Sequence, residues 1–120
     1  MVQRMTPMIH VPDVRAAVEW YGGLGFELRA KFDDGAGGLS FAILSFGDTE
    51  IMFNEGGRPS DAFRREVDLY LIVNDVDATY GRLKDRVDVF ESPHDTDHGM
   101  RELVIRDLNR FWITFGKEIG

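Results

Sequence analysis

The sequence predicts an α+β protein built from two tandem βαβββ units, and three observations carry that expectation. The chain repeats itself at an offset of 62 residues: Val11, Asp13, Val14 and Ala16 recur as Val73, Asp75, Val76 and Ala78, and Ile51 and Phe53 recur as Ile113 and Phe115. Within each copy one stretch has helical spacing. Val14, Ala17, Val18 and Tyr21 follow i, i+3, i+4, i+7, and Val76, Thr79, Tyr80 and Leu83 hold the same places. The remaining segments alternate apolar and polar residues, as strands do when their two faces meet different surroundings. A duplication this long implies two copies of one supersecondary unit with a pseudo-twofold site at their seam.

The elements follow in order. Strand one runs from Thr6 to Val11 and is closed by Pro12, and Asp13 is placed to N-cap a helix. That helix is expected to run to about Tyr21 and to stop at Gly22-Gly23. A strand near Phe26 to Phe32 precedes the glycine-rich loop Asp33 to Gly38, read as a turn, and Leu39 to Phe46 and Glu50 to Asn54 form a hairpin. Polar residues from Glu55 to Arg65 read as a linker. The second copy repeats the plan with strand Val67 to Val73, a helix from Asp75 to about Lys84, and strand Val87 to Phe90. An acidic loop, Glu91 to His98, then precedes strands Met100 to Arg106 and Arg110 to Gly116. Copy one is thus expected over about residues 6–54, the linker over 55–66 and copy two over 67–117, within one domain spanning 1–120.

Side chains switch faces at each strand residue, so parity sorts them. Ile9, Val11, Ile51, Phe53, Leu69, Leu71, Val73, Phe111, Ile113 and Phe115 are all aliphatic or Phe, which suits a face covered by helices. The opposite set includes Met8, His10, Glu50, Met52, Asn54, Asp68, Tyr70, Trp112 and Thr114. Phe41 and Glu102 join it by parity. That mixture of aromatic, thioether, amide, hydroxyl and carboxylate groups is the composition of a small-molecule pocket.

Composition narrows the function classes. At 120 residues the chain has room for one core. With 21 acidic against 14 basic residues the formal net charge is -7, which argues against a nucleic-acid partner and mildly favours a cationic ligand. No apolar run approaches the ~18 residues of a membrane helix, and Met1 to Met5 lacks the apolar region of a signal peptide. There is no cysteine, hence no disulfide, no thiolate nucleophile and no Cys-ligated metal, and a cytoplasmic location is expected.

Two βαβββ units, the Val-x-Asp-Val helix entries, Tyr21-Gly22-Gly23-Leu24-Gly25-Phe26 and Gly99-Met100-Arg101-Glu102-Leu103-Val104-Ile105-Arg106-Asp107 resemble the vicinal oxygen chelate superfamily. Within it the chain looks most like the bleomycin resistance proteins, more than the glyoxalases or extradiol dioxygenases. The resemblance implies a curved eight-stranded mixed sheet, helices on its convex side, a ligand on its concave face and a homodimer. One departure stands at the last turn. Asp107-Leu108-Asn109-Arg110-Phe111 replaces the family's Asp-Pro-x-Gly-Asn, and Asn109 is expected to take positive φ.

The superfamily's metalloenzymes place ligands at positions matching Thr6, Met52, Asp68 and Thr114. Only Asp68 is a competent donor for a divalent cation. His10 lies four residues along the strand from Thr6, about 13 Å away at ~3.3 Å per residue, and cannot substitute. The expectation is therefore a protein without metal, cofactor or catalytic residues that sequesters an aromatic or cationic ligand through His10, Phe41, Met52, Asn54, Asp68, Tyr70, Glu102, Trp112 and Thr114. The alternative is a lyase, isomerase or dioxygenase with an altered metal site around Asp68, His10 and Glu50. His94 and His98 read as part of a solvated acidic loop or pocket rim.

Overall fold

A computed structural model describes residues 1–120. It contains β1 (Met8–His10), α1 (Val14–Leu24), β2 (Glu27–Asp33), β3 (Leu39–Phe46), β4 (Thr49–Asn54), β5 (Asp68–Ile72), α2 (Val76–Leu83), β6 (Asp88–Asp95), β7 (Met100–Arg106) and β8 (Trp112–Glu118). This is βαβββ twice. The eight strands are hydrogen-bonded as two four-stranded mixed sheets, ordered β1-β4-β3-β2 and β5-β8-β7-β6. In each, the first strand pairs parallel with the fourth and the other pairs are antiparallel. The chain packs as two compact units, Met1–Pro59 and Ser60–Gly120.

Each unit buries one sheet face under its helix. In the first, Val14, Ala17, Tyr21 and Leu24 of α1 are buried with Ala42, Leu44, Ile51 and Phe53. The Tyr21 ring lies 4.8 Å from that of Phe53. In the second, Val76, Thr79 and Leu83 of α2 are buried with Leu103, Ile105, Ile113 and Phe115. The helical period of 3.6 and the strand period of 2 thus deliver two apolar surfaces to one interface. Burying each large side chain contributes about 1.5–3 kcal/mol.

Both helices start as expected: Asp13 Oδ1 accepts from Ala16 N and Asp75 Oδ1 from Ala78 N, each at 3.0 Å. The end of α1 differs. The helix continues through Gly22 and Gly23 and ends at Leu24, because Gly25 takes the left-handed conformation (φ 108) and caps it. Leu24 is thereby carried into the core. The acidic segment after Phe90 differs as well. β6 extends to Asp95, with His94 opposite Glu102 and Asp95 opposite Arg101, through two register shifts. Those irregularities break the alternation by which a strand is recognised.

The last turn is the third difference. Positive φ falls on Arg110 (68), not on Asn109. The buried Asp107 carboxylate accepts from Asn109 N (2.7 Å) and Phe111 N (2.9 Å), which draws the chain around it and leaves Arg110 in the left-handed region. No helix is long and apolar enough to cross a membrane.

Candidate functional site

Each unit presents a sheet face on the side away from its helix. In the first unit, His10, Asn54 and Phe41 stand in one row across β1, β4 and β3, and Met8, Met52 and Ile43 form the next. Asn54 Nδ2 lies 3.9 Å from Met8 Sδ, and its Oδ1 accepts from Glu55 N at 2.9 Å. His10 is exposed, and its Nδ1 lies 3.0 Å from the Glu55 carbonyl. Phe41 packs near Phe32, centroids 5.8 Å apart. This face is apolar at its centre and polar along one edge. Glu50 sits apart from that row and pairs with Arg4 at 3.3 Å.

In the second unit the polar groups are better organised. Tyr70 Oη donates to Glu102 Oε2 at 2.6 Å, and His98 Nε2 lies 3.3 Å from the same oxygen. The Glu102 side chain is only 12% exposed. The end of Tyr70 passes over Gly116, where a Cβ would overlap its hydroxyl and ring. The residue as a whole is 48% exposed, with its hydroxyl set between Glu102 and the Gly116 backbone. That burial first, then the Glu102 hydrogen bond and charge, push the phenol up to about 12. Thr114 is half-buried, opposite Tyr70 on one side and Val104 on the other.

Asp68 and Trp112 face each other across β5 and β8. Trp112 corrects an expectation, because it is not an open stacking surface: it is 8% exposed. Phe90 packs against it with centroids 4.3 Å apart, Phe63 meets it edge-on at 5.6 Å, and Arg64 lies over the ring with Cζ 4.3 Å from the centroid. Trp112 Nε1 donates to the Phe63 carbonyl at 3.2 Å. Arg64 also engages both Asp68 oxygens, through Nη2 to Oδ2 and Nε to Oδ1, and this pairing raises the arginine's pKa.

The residues reasoning from sequence missed are therefore Phe63, Arg64 and Phe90. Phe63 and Arg64 belong to the segment read as a polar linker, which in fact lies against the second sheet. Arg106 Nη1 donates to Phe63 O, Arg110 Nη1 to Ala62 O and Arg65 Nη1 to Asn109 O. No signal in the sequence pointed to them: Arg64 and Asp68 are spaced i,i+4, but i,i+4 pairing is a rule for helices and Arg64 lies outside any helix. With side chains 51% and 34% exposed, that pair contributes about 0–1 kcal/mol, and the cation–π contact about 0.5–1 kcal/mol.

The four inherited metal-ligand positions do not fit a divalent cation. Thr6 and Met52 in the first unit offer a hydroxyl and a thioether, and Thr114 in the second another hydroxyl. Asp68, the one strong donor, is held by Arg64. No three His, Asp or Glu side chains converge anywhere in the chain. Two open clefts lie elsewhere, of about 370 Å³ at the start of α2 and about 390 Å³ at the start of α1, and none of the nine candidate residues lines either. Their prominent charges are already spent: Arg101 binds Asp77 and Asp95, and Arg15 donates to the Gly37 carbonyl.

Comparison with known proteins agrees with this architecture. TioX from Micromonospora sp. ML1 is 22% identical, with 97% of this chain and 100% of that chain covered at a TM-score of 0.74. A glyoxalase/bleomycin resistance protein/dioxygenase from Alicyclobacillus acidocaldarius is 14% identical over 97% and 91%, at 0.77. The genomically encoded fosfomycin resistance protein FosX from Listeria monocytogenes is 13% identical over 98% and 93%, at 0.75. At these identities the likeness is one of fold. A search of curated proteins found no match. The model of one family matches residues 5–115, nearly the whole chain, and this protein belongs to the Glyoxalase/Bleomycin resistance protein/Dioxygenase superfamily.

Proposed function

We propose that this protein is a metal-free small-molecule binder of the bleomycin-resistance type, which sequesters an aromatic or cationic ligand without chemistry. The observation that carries the reading is the donor set. Three inherited ligand positions hold Thr6, Met52 and Thr114, and the fourth, Asp68, is paired with Arg64. Where the superfamily's enzymes need a Lewis acid, this chain offers carboxylates and aromatic rings instead. Candidate ligand contacts in the second unit are Asp68, Tyr70, Glu102, Trp112 and Thr114, and in the first His10, Phe41, Met52 and Asn54. Glu102, poorly exposed and ionisable, would favour a ligand with hydrogen-bond donors or positive charge. A fosfomycin resistance protein among the fold relatives makes toxic natural products the first compounds to test.

The competing enzyme reading needs Asp68, His10 and Glu50 free to share a cation. Asp68 is paired with Arg64 and Glu50 with Arg4, so two of the three would have to give up an arginine, whereas the bond of His10 Nδ1 to the Glu55 carbonyl leaves its Nε2 available. Elemental analysis decides between them. Purified protein is expected to carry well under one transition metal per chain and to bind its ligand equally after EDTA treatment. Stoichiometric metal lost in Asp68→Asn would overturn the reading.

A twofold homodimer is part of the same proposal. Met8, Phe32, Tyr70 and Ile72 are all exposed, and a second copy would cover apolar side chains of this kind. Light scattering at micromolar concentration is expected to give twice the 13.7 kDa chain mass, and a monomer would remove this element.

A further inference from the structure

We propose that Asp68 and the Trp112 ring form a recognition site for a planar organic cation of the amidinium or guanidinium class, occupied in cis by Arg64 until such a ligand displaces it. The proposal deepens the small-molecule reading by naming ligand chemistry, and it rests on that reading.

The permanent half of the site is rigid. Asp68 and Trp112 are register partners on adjacent parallel strands. Trp112 keeps its orientation without Arg64, because Nε1 donates to the Phe63 carbonyl and Phe90 packs against the ring. The Phe63 carbonyl is in turn held by Arg106, which also pairs with Asp88 at 2.7 Å. Removing the Arg64 side chain would therefore uncover an aromatic face beside a carboxylate and leave both in place.

Arg64 is the replaceable half. It lies outside any helix or strand, and half of its side chain is exposed. What it does in the site defines the ligand. One planar group stacks over the indole and at the same time presents two N–H donors to the two oxygens of Asp68. An amidinium or guanidinium fulfils both requirements. A primary ammonium is a point charge that cannot make the forked contact, and a neutral aromatic leaves Asp68 unpaired. A ligand whose cation is attached to an aromatic body would also reach Phe63, which is 63% exposed beside the indole.

The arrangement belongs to one repeat. At an offset of 62 residues, Asp68 and Trp112 correspond to Thr6 and Glu50, so the first unit has neither the carboxylate nor the ring at these places. The net charge of -7 adds a general attraction for cations.

Calorimetric titration of the full-length protein with benzamidinium tests the proposal. Arg64→Ala is expected to bind benzamidinium at least ten-fold more tightly than wild type, with Arg64→Ala/Asp68→Asn losing that gain. Benzylammonium should gain less than benzamidinium, and benzyl alcohol should gain nothing. Arg64→Gln, which vacates the charge but keeps a planar end group, provides a second variant should the alanine form fold poorly, and it should change affinity in the same direction. Equal affinity in wild type and the Arg64 variants would overturn the proposal, as would an equal gain for benzyl alcohol. Should benzamidinium fail while EDTA-treated protein still binds a screened compound through Tyr70 and Glu102, the cation site falls and the binding function stands. If metal is found essential instead, the broader reading falls first.

Discussion

The Tyr70 hydroxyl donates to Glu102 across β5 and β7 at 2.6 Å, over the backbone of Gly116 on β8. Three strands meet in that contact, although no two of the residues are near in sequence. Its strength has a spectroscopic signature.

Tyr70 should ionise near 12, well above the usual 10 for a phenol. The sign follows from the neutral form being favoured in the folded state. The contribution to stability is complete below pH 10 and is lost as the pH rises through about 12. Tyrosinate absorbance, with Tyr70→Phe as the subtraction, should show a late-titrating group. Glu102→Gln should lower its midpoint only in part, because burial of the hydroxyl is the larger cause. A midpoint at 10 in wild type would mean that the hydroxyl is solvated.

Gly116→Ala should displace Tyr70. The added methyl would overlap the hydroxyl and ring, so Tyr70 must swing away and give up Glu102. Tyr70 is half exposed and can yield, so the cost is that of the lost hydrogen bond to a charged group, ~1.5–3 kcal/mol at most. Chemical denaturation should show that loss, with the Tyr70 midpoint returning toward 10. Adding Tyr70→Ala to Gly116→Ala should cost no more than Tyr70→Ala alone, because the obstructing ring is then gone.

Arg110→Gly should stabilise the protein. Arg110 holds φ at 68, a region costing a non-glycine residue about 1–2 kcal/mol, whereas its hydrogen bond to the Ala62 carbonyl is long at 3.3 Å and exposed. After the entropy cost of glycine, a net gain of about 0.5–1 kcal/mol is expected, seen as a higher denaturation midpoint. A loss would show that the Ala62 contact matters more than the turn.

Trp112 should report ligand binding to the second unit. It is the tryptophan beside Asp68, whereas Trp20 is on α1 and packs on Tyr21. Trp112→Phe should abolish ligand-induced quenching and Trp20→Phe should spare it. Because Trp112 is enclosed by Phe63, Phe90 and Arg64, its unliganded emission should be blue-shifted, and Arg64→Ala should move it to the red. Quenching that survives in Trp112→Phe would place the ligand elsewhere.

The order of elements, both helix starts and the buried faces were legible in the linear sequence. Each is written in a local rule: Asp13 and Asp75 stand where a helix needs a cap, and strand parity separates Ile51 and Phe53 from Met52 and Asn54. The duplication then doubled every signal. Parity also brought Tyr70 and Glu102 to one face, because register follows from which side of each strand is apolar. Tertiary structure alone decided what covers Trp112. Phe63 and Arg64 lie in an aperiodic segment, and nothing in their spacing tells whether such a segment leaves the fold or returns to it. The same holds for β6, whose irregular pairing hides its period, and for Arg110, whose backbone is set by the hydrogen bonds Asp107 accepts. Periodic segments announce their partners through a repeated apolar face. Aperiodic ones are placed by individual contacts that exist only once the sheet has formed.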